Sequence, residues 1–409
     1  MAGPLLRPEV AALMLTLLLS LQSVTTDLML TALPSLGAEL HAPMALLQYT
    51  LSASVLGFGL AQLVWGPVAD RFGRRPVMLL GLAGYLLASV GAGTATSIGA
   101  VIAWRAAQGA TMAASVVCAR AMVRDLYEPY QGTLVMARAL TGLGVVAILC
   151  PLLGGVVVAA FGWRAAIASM TVYALGLAWL VVTRLPETAR QLNPQSTQAG
   201  PLLRQALAIL RHPVFRAWTL LTACTYGALY TCLAASGVVL IQVLGLPVVT
   251  AGVVLSAMGM SYIAGTLQCR RWLARHAPAG TVARAAGFSL AAALMLAVVA
   301  WLDLRSVPAL MVPICLFAFG HGMHQACGQA GLVGPFPHAA GLASALSGFV
   351  LALVAFGVGA WLGRALDGTV RALALGMSVG GVLTALVAWT LVQRHGRLPA
   401  GAAAEAAKA

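Results

Sequence analysis

Residues 66–77 read GPVADRFGRRPV and separate two long apolar segments. A helix needs about 20 apolar residues to cross a bilayer, and both flanking segments reach that length. The stretch is therefore predicted to be a short charged loop at a membrane surface. Its glycines and charged residues are Gly66, Asp70, Arg71, Gly73, Arg74 and Arg75.

Composition places the whole chain in a membrane. Of 409 residues, 61% are hydrophobic and only 8% are charged, whereas a soluble domain has about a quarter of its residues charged. The net charge of +14 comes from short basic clusters between apolar runs. Membrane topology explains this pattern, and it lacks the basic stripe of a nucleic-acid-binding protein.

Apolar segments broken by glycine, proline and charged clusters predict an all-α protein with twelve transmembrane helices. The predicted spans are 10–35, 45–67, 76–95, 98–121, 134–160, 164–184, 214–238, 248–269, 283–302, 308–331, 340–363 and 371–393. The longest polar interruption divides them six and six. The predicted domains are a first six-helix bundle at 1–184, a cytoplasmic linker at 185–213, a second bundle at 214–393 and a cytoplasmic tail at 394–409.

The basic residues predict the orientation, because cytoplasmic loops collect lysine and arginine. With the N-terminus inside, 19 of the 24 basic residues lie in cytoplasmic segments and one, Arg105, lies within the fourth span. The outer segments hold only Arg164, Arg305, Arg364 and Arg371. Both termini are therefore expected in the cytoplasm of a bacterial cell, with the chain in the inner membrane.

The two halves carry traces of an internal repeat. GTLQCRRWLAR follows the second span of the second half, as GPVADRFGRR does in the first. Aligning Gly66 with Gly265 places Cys269 where Asp70 stands. Transporters built from repeated bundles show such correspondences. The seven cysteines lack metal-type spacing, so each is expected to pack as a small apolar side chain.

GPVADRFGRRPV resembles the signature loop between the second and third helices of the major facilitator superfamily. The resemblance implies a gate: Asp70 would be attracted to a helix N-terminus of the other half, and Gly66 would permit close helix approach. A basic loop that sets topology and contacts anionic lipid is the alternative, although lipid contact requires neither the aspartate nor the glycines.

The predicted fourth and fifth spans carry two further resemblances. WRAAQGA resembles the fourth-helix motif of the superfamily through its arginine, glutamine and glycine. CPLLGG resembles the fifth-helix antiporter motif, which is associated with exporters. The matching residues are Arg105, Gln108, Gly109, Pro151, Gly154 and Gly155. Cys150 replaces the glycine usually found before the proline, and ordinary helix packing is an alternative role for this segment.

Three other stretches resemble the Bcr/CflA group of drug-resistance transporters: TTDLMLTALPSL, ARAMVRDLY with Arg124 and Asp125, and GPFPHAAGLASALSGF. Together the resemblances cover nearly the whole chain. They imply a proton-coupled antiporter that exports small, partly apolar compounds or antibiotics by alternating access, without a cofactor.

Asp27 is the only charged residue between Ala11 and Pro34. Counted from the predicted helix ends at about 1.5 Å per residue, Asp27 and Arg105 lie roughly 13 and 10 Å deep. Intramembrane ionisable residues are usually functional, so Asp27 is predicted to exchange a proton for substrate, with Arg105 beside it. A static Asp27–Arg105 ion pair is the alternative.

Polar and aromatic residues elsewhere are candidates for the wall of a central cavity. They are Tyr49, Gln108, Tyr226, Tyr230, His321, His324 and Gln325. Tyr226 and Tyr230, one helical turn apart, could stack on an aromatic substrate or pack between helices. His321 and His324 share a helix face, but no carboxylate or thiolate stands at metal spacing, so no metal site is expected.

The partners expected from the sequence are a small-molecule substrate, protons and membrane lipid, with no nucleic acid, and the protein is expected to be a monomer. A proton-coupled importer of a metabolite such as a nucleobase or sugar derivative is the first alternative. A membrane enzyme or receptor is disfavoured, because no paired catalytic carboxylates, HExxH, P-loop or GxSxG site accompanies the spans.

Overall fold

A computed structural model describes residues 7–189, 192–194, 196–336 and 339–396. The side chains of residues 129, 130, 133, 137, 147 and 199 are also outside the description. Most of the predicted tail, a few linker positions, and the Pro337–His338 pair within GPFPHAAGLASALSGF therefore lie outside the described residues.

The chain forms two compact units that divide between Leu203 and Arg204. The first unit contains six long helices. They are α1 (Pro8–Leu40), α2 (Met44–Phe72), α3 (Arg74–Thr94), α4 (Ile98–Leu126), α5 (Pro129–Phe161) and α6 (Trp163–Arg184). Its core is formed by apolar side chains of α1, α3, α4 and α6, such as Leu18, Leu82, Met112 and Leu177.

The second unit also contains six long helices. They are α8 (Pro213–Val238, extended by a wider turn to Val243), α9 (Val248–Leu273), α10 (Pro278–Leu302), α11 (Val307–Val333), α12 (Ala340–Ala365) and α13 (Arg371–Trp389, followed by the short α14, Leu391–His395). Twelve helices among the described residues are thus long and apolar enough to cross a membrane. The twelve predicted spans are confirmed.

The sequence did not predict α7 (Ala199–Arg211), which lies in the segment treated as a polar linker. Leu203, Leu207 and Leu210 are exposed along it, and Ile209 is buried. A helix of 13 residues is too short to span a bilayer. This segment is therefore a separate helix across the division between the units, not an irregular connection.

In both units, glycines allow the second helix and the fourth helix to touch through their backbones. A Cβ atom placed on Gly109 of α4 would lie 1.8 Å from the carbonyl oxygen of Ser54 on α2. A Cβ atom on Gly265 of α9 would lie 2.0 Å from the carbonyl oxygen of Phe319 on α11. Small residues permit such close approach in membrane proteins, where lipid supplies no hydrophobic drive between helices.

Serine caps begin the fourth helix of each unit. The hydroxyl of Ser97 accepts a hydrogen bond from the backbone N–H of Ala100, and Ser306 does the same for Ala309. Each cap satisfies a backbone donor that the first helical turn leaves without a partner. The shared device fixes where α4 and α11 begin and so sets the depth of the side chains they carry.

Candidate functional site

Arg105 is fully buried inside the first unit. Its guanidinium donates to Gln108 Oε1 at 2.8 Å, to the carbonyl oxygen of Thr25 on α1 at 3.1 Å, and to the carbonyl oxygen of Thr50 on α2 at 3.4 Å. Buried charges persist only where hydrogen bonds replace water. Arg105 therefore connects α4 to the backbones of α1 and α2.

A second buried layer supports this arginine. Gln108 Nε2 donates to Ser89 Oγ on α3 at 2.7 Å. The hydroxyls of Thr25 and Tyr85 lie 2.6 Å apart. These bonds run through α1, α3 and α4, so the polar cluster around Arg105 is continuous. Gln108 is fully buried and belongs to this cluster.

Asp27 lies on a partly exposed polar stripe of α1. In the stretch from Gln22 to Asp27, the partly exposed residues are Gln22, Ser23, Thr26 and Asp27, whereas Val24 and Thr25 are buried. A lipid-facing helix would expose apolar side chains instead. The exposure pattern therefore indicates that this face of the first unit is wetted.

Asp27 and Arg105 do not form an ion pair in this structure, which describes both residues. Within the described part of the chain, the Asp27 carboxylate makes no hydrogen bond or ion pair. Arg105 instead bonds to the carbonyl oxygen of Thr25, two residues before Asp27. The arginine thus fixes the backbone of the Asp27 turn, and a static ion pair is not what joins α1 to α4 here.

The helix with the predicted antiporter motif packs directly against the Asp27 segment. A Cβ atom on Gly154 of α5 would lie 2.8 Å from Thr31 Oγ1 and 3.3 Å from the Cα atom of Leu28. Cys150 is a buried electrostatic neighbour of Asp27. Gly154 therefore permits close contact of α5 with α1 next to the carboxylate. Pro151 and Gly155 are buried on the same helix.

The stretch at residues 66–77 is not the loop that the sequence predicted, because α2 continues to Phe72, α3 begins at Arg74 and only Gly73 lies between them. This charged 66–77 segment forms an ion-pair chain. Arg74 Nη1 lies 2.5 Å from Asp70 Oδ1, and Arg74 Nε lies 3.1 Å from Asp125 Oδ2 at the end of α4. The Arg74 side chain is only 11% exposed, whereas that of Asp70 is 48% exposed. Arg74 thus joins α2, α3 and α4, and Asp70 keeps an accessible oxygen. Arg124 is exposed.

Glu187, which follows α6, caps the N-terminus of α3. Its carboxylate accepts from the backbone N–H groups of Arg74 at 2.9 Å and Arg75 at 3.1 Å. Partial burial opposes ionisation, but bonds from the N–H groups of Ala189, Arg74, Arg75 and Thr188 outweigh it and hold the pKa of Glu187 below its usual value. An anion at a helix N-terminus also interacts favourably with the helix dipole.

Gly73 makes this cap possible. Its φ of 97° lies in the left-handed region that favours glycine, and a Cβ atom there would lie 2.6 Å from Glu187 Oε2. The sequence suggested that Gly66 permits close helix approach. Among the described residues of the first unit, Gly66 makes no such close contact. A Cβ atom on Gly66 would meet Val117 at 4.0 Å, which is ordinary contact.

The end of α6 and the segment after it bond to the same charged 66–77 segment. Arg71 Nη1 donates to Thr197 Oγ1 at 2.7 Å, and the backbone N–H of Asn193 donates to the carbonyl oxygen of Asp70 at 2.9 Å. Arg75 Nη2 donates to the carbonyl oxygen of Val182 at 2.9 Å. Three hydrogen bonds therefore fix the charged 66–77 segment to α6 and to the chain that follows it.

The candidate residues of the second unit fall into two groups. Tyr226 and Gln325 are partly exposed, whereas His321 and His324 are buried. His321 Nδ1 lies 2.9 Å from Thr225 Oγ1, and His324 Nε2 lies 3.1 Å from Ser289 Oγ. Hydroxyl groups thus satisfy one nitrogen of each histidine.

The aromatic candidates are divided between the units. The rings of Tyr226 and Tyr230 are 6.1 Å apart and tilted, and Tyr230 is buried. Tyr49 of the first unit is partly exposed beside Thr50, an acceptor for Arg105. Within the first unit the structure thus brings Tyr49, Asp27 and Arg105 to neighbouring turns of α1, α2 and α4.

The chain matches the family model of the Major Facilitator Superfamily over residues 15–360. It belongs to this superfamily. The expected fold class is confirmed, because a crystal structure of a D-xylose-proton symporter superposes with a TM-score of 0.76. That superposition covers 94% of this chain and 97% of the symporter at 16% sequence identity, so it shows the fold alone.

Sequence relatives of this superfamily member are resistance proteins. Multidrug resistance protein D of Escherichia coli K12 is 30% identical over 338 residues, which are 82% of this chain and 84% of the relative. A bicyclomycin resistance protein homolog of Haemophilus influenzae is 26% identical and covers 82% and 86% of the two chains. The predicted place in the Bcr/CflA drug-resistance group is confirmed.

Two carboxylates with clear structural roles escaped the sequence analysis. Glu187 is the only acidic residue in the segment 185–213, and that isolation was the available signal. Glu39 near the end of α1 pairs with Arg164 and accepts from Trp163 Nε1 at 2.8 Å, which ties α1 to α6. Glu39 and Trp163 are 124 positions apart in the chain, and the sequence carries no signal for this contact.

Proposed function

We propose that this protein is a proton-coupled antiporter that exports small, partly apolar compounds, antibiotics included, from the bacterial cytoplasm. Membership of the superfamily and the names of the resistance relatives support export of such compounds. The observation that carries proton coupling is the partly exposed Asp27 carboxylate on the polar stripe of α1.

In the proposed cycle, Asp27 binds either a proton or the substrate. A proton arriving from the outer side neutralises the carboxylate, and its release to the cytoplasm frees the site for cargo. Arg105 keeps the backbone of this turn fixed through the Thr25 carbonyl, so that the carboxylate is presented in one place. One proton that moves down 100 mV releases about 2.3 kcal/mol, which supports concentration ratios of tens-fold.

The proposed orientation has both termini in the cytoplasm of a multi-pass inner-membrane protein. The distribution of basic residues, 19 against four, supports it. In this orientation the Asp70–Arg74–Asp125 chain lies at the cytoplasmic surface. Breaking it is proposed to accompany opening of the site toward the cytoplasm.

A susceptibility panel in an efflux-deficient host, with and without a protonophore, tests export. We expect the native chain to raise resistance to some compounds and the protonophore to abolish the effect. Asp27→Asn should remove substrate-driven proton movement in inverted vesicles. Glu9→Gln, which changes an exposed acidic residue of the same helix, is the control and should leave it intact.

The sign of the proton movement separates export from import. In inverted vesicles with an acidic interior, an antiporter takes substrate in while protons leave. An importer would move both in the same direction. Unchanged proton coupling in Asp27→Asn would contradict the role proposed for this carboxylate.

A further inference from the structure

Two cysteines of the second unit meet where α9 and α11 pack together. The Sγ atoms of Cys269 and Cys327 are 3.6 Å apart, although the residues are 58 positions apart in the chain. The two residues are 1% and 2% exposed, and all seven cysteines of the chain are free thiols. This juxtaposition goes beyond the apolar packing that the sequence predicted for each cysteine.

The thiols meet because the helix backbones touch. A Cβ atom on Gly265 would lie 2.0 Å from the carbonyl oxygen of Phe319, and one on Gly322 would lie 2.5 Å from that of Tyr262. Cys269 follows Gly265 by about one helical turn, and Cys327 follows Gly322 by a little more than one. The close contact of α9 with α11 therefore continues into the cysteine pair.

The geometry is near that of a disulfide without being one. A disulfide needs sulfur atoms about 2.05 Å apart, whereas these two lie 3.6 Å apart. Rotation about the Cα–Cβ bond of either cysteine moves its sulfur atom by more than this difference. Side-chain rotation is therefore the first movement that bond formation requires, between helices that already touch.

We propose that Cys269 and Cys327 form a redox-sensitive dithiol that hydrogen peroxide oxidises to a disulfide joining α9 to α11. One sulfur attacks the peroxide, so that an S–O bond forms, the O–O bond breaks, and one water leaves with a thiol proton. The second sulfur attacks the sulfenic sulfur, forms the S–S bond and releases the second water. Two thiols lose two electrons, and peroxide gains them.

Burial determines which reagents reach the pair. Both thiols are inside the second unit, so a bulky reagent is excluded and hydrogen peroxide, which is small and neutral, is suited to the site. A cellular dithiol reverses the bond by thiol–disulfide exchange when local opening exposes it. The pair therefore serves as a modification site that records oxidant exposure.

The cross-link lies at a position of functional interest. In the alignment of the two halves, Cys269 takes the place of Asp70, whose ion pair anchors the charged 66–77 segment of the first unit. A disulfide there fixes the last part of α9, which carries Arg270 and Arg271. We expect oxidation to reduce transport, and this consequence alone rests on the proposed export function.

The test uses the full chain in membranes treated with hydrogen peroxide. Remaining thiols are then alkylated, and digested peptides are analysed by mass spectrometry. We expect a Cys269–Cys327 cross-link in the native chain that dithiothreitol removes. Cys118→Ser, which changes a buried cysteine of the first unit, should retain it, and Cys327→Ser should lose it.

Oxidation of other cysteines in the native chain without this cross-link would overturn the proposal, whether or not the variants fold. Export measured in the same membranes should fall after peroxide and recover with dithiothreitol, and Cys269→Ser should abolish that response. A cross-link with unchanged export would overturn the control of transport. If the untreated chain exports nothing, the proposed function fails while the cross-link result stands by itself.

Discussion

The charged segment that ends the second helix differs sharply between the two units. In the first unit, Arg74 joins Asp70 to Asp125, and Glu187 caps the next helix. In the second unit, GTLQCRRWLAR has no acidic residue, and its arginines are exposed. The two segments occupy equivalent places in the repeat, yet among the described residues ion pairs fix only the one in the first unit.

The two units nevertheless share the packing of their second helix against their fourth helix. Gly109 brings α4 against α2, Gly265 brings α9 against α11, and serine caps begin α4 and α11. The membrane helices of the second unit also carry no acidic residue. The repeat thus retained the helix contacts, while the acidic residues of the membrane helices lie in the first unit alone.

Arg105→Ala should have the largest effect. Truncating a large buried side chain costs about 2–5 kcal/mol, and this change also leaves the carbonyls of Thr25 and Thr50 without their donor. We expect export to be abolished and thermal unfolding in detergent, followed by tryptophan fluorescence, to occur at lower temperature.

The matched control for that change is Ile314→Ala in the second unit. Counted from the serine caps, Ile314 is the counterpart of Arg105, and it is buried. It should lose comparable stability but retain export per folded molecule. Equal loss of export in both variants would contradict the concentration of chemistry in the first unit.

Gly109→Ala and Gly265→Ala should have similar effects on the two units. Each added Cβ atom would collide with a backbone oxygen, and such overpacking costs about 1–3 kcal/mol or more. Thermal unfolding of the purified variants measures the loss.

Gly176→Ala and Gly287→Ala are controls in the first and second units, because a Cβ atom at either site meets no atom of the described residues within 4 Å. These changes should be neutral or stabilising by about 0.5–1 kcal/mol. A tolerated Gly265→Ala beside a damaging Gly109→Ala would contradict shared packing.

Arg74→Gln should reduce export by about tenfold, the factor that corresponds to about 1.4 kcal/mol. The change removes both ion pairs from a nearly buried guanidinium, whereas the partly exposed Asp70 limits the loss through solvent screening. Arg271→Gln, at an exposed residue of the last turn of α9, is the control and should leave export unchanged, since exposed substitutions usually alter stability by no more than about 0.5 kcal/mol. Drug accumulation in cells compares the two variants, and equal losses would remove the difference between the two segments.

Glu187→Gln should have the smallest effect, and that effect should depend on pH. The pKa of Glu187 is lowered in the folded chain from an ordinary value of 4.5. Its contribution to stability is therefore present above pH 4.5 and is lost as pH falls through the lower folded pKa. Thermal unfolding should separate the native and variant chains at neutral pH, and the separation should shrink in acid.

Asp367→Asn is the comparison in the second unit, because Asp367 bonds only locally, to Thr369 two residues away. It should alter unfolding less than Glu187→Gln at neutral pH. A Glu187→Gln difference that grew in acid would contradict the cap described for α3.

The sequence predicted the helices well because their signal is local. Twelve apolar runs, each long enough to cross a bilayer, need no knowledge of tertiary contacts. The same holds for Asp27, since one charge in an apolar span is visible without any structure. The helix α7 was missed because its 13 residues are too few to span a bilayer, so it does not stand out among apolar runs of membrane length.

The partners of these residues were decided by tertiary structure. Arg105 bonds to the Thr25 carbonyl and not to Asp27, and Glu187 reaches the N-terminus of α3 across more than a hundred residues of chain. Such contacts depend on which helices touch and how closely. Gly109 and Gly265 allow a close distance between helices, but this effect is visible only once two segments distant in sequence pack against each other. The sequence by itself thus determined the membrane spans, the family and the one charged residue in the apolar stretch from Ala11 to Pro34. The tertiary structure decided which groups neutralise one another and which thiols meet, because hydrogen bonds and side-chain contacts form between neighbours in space.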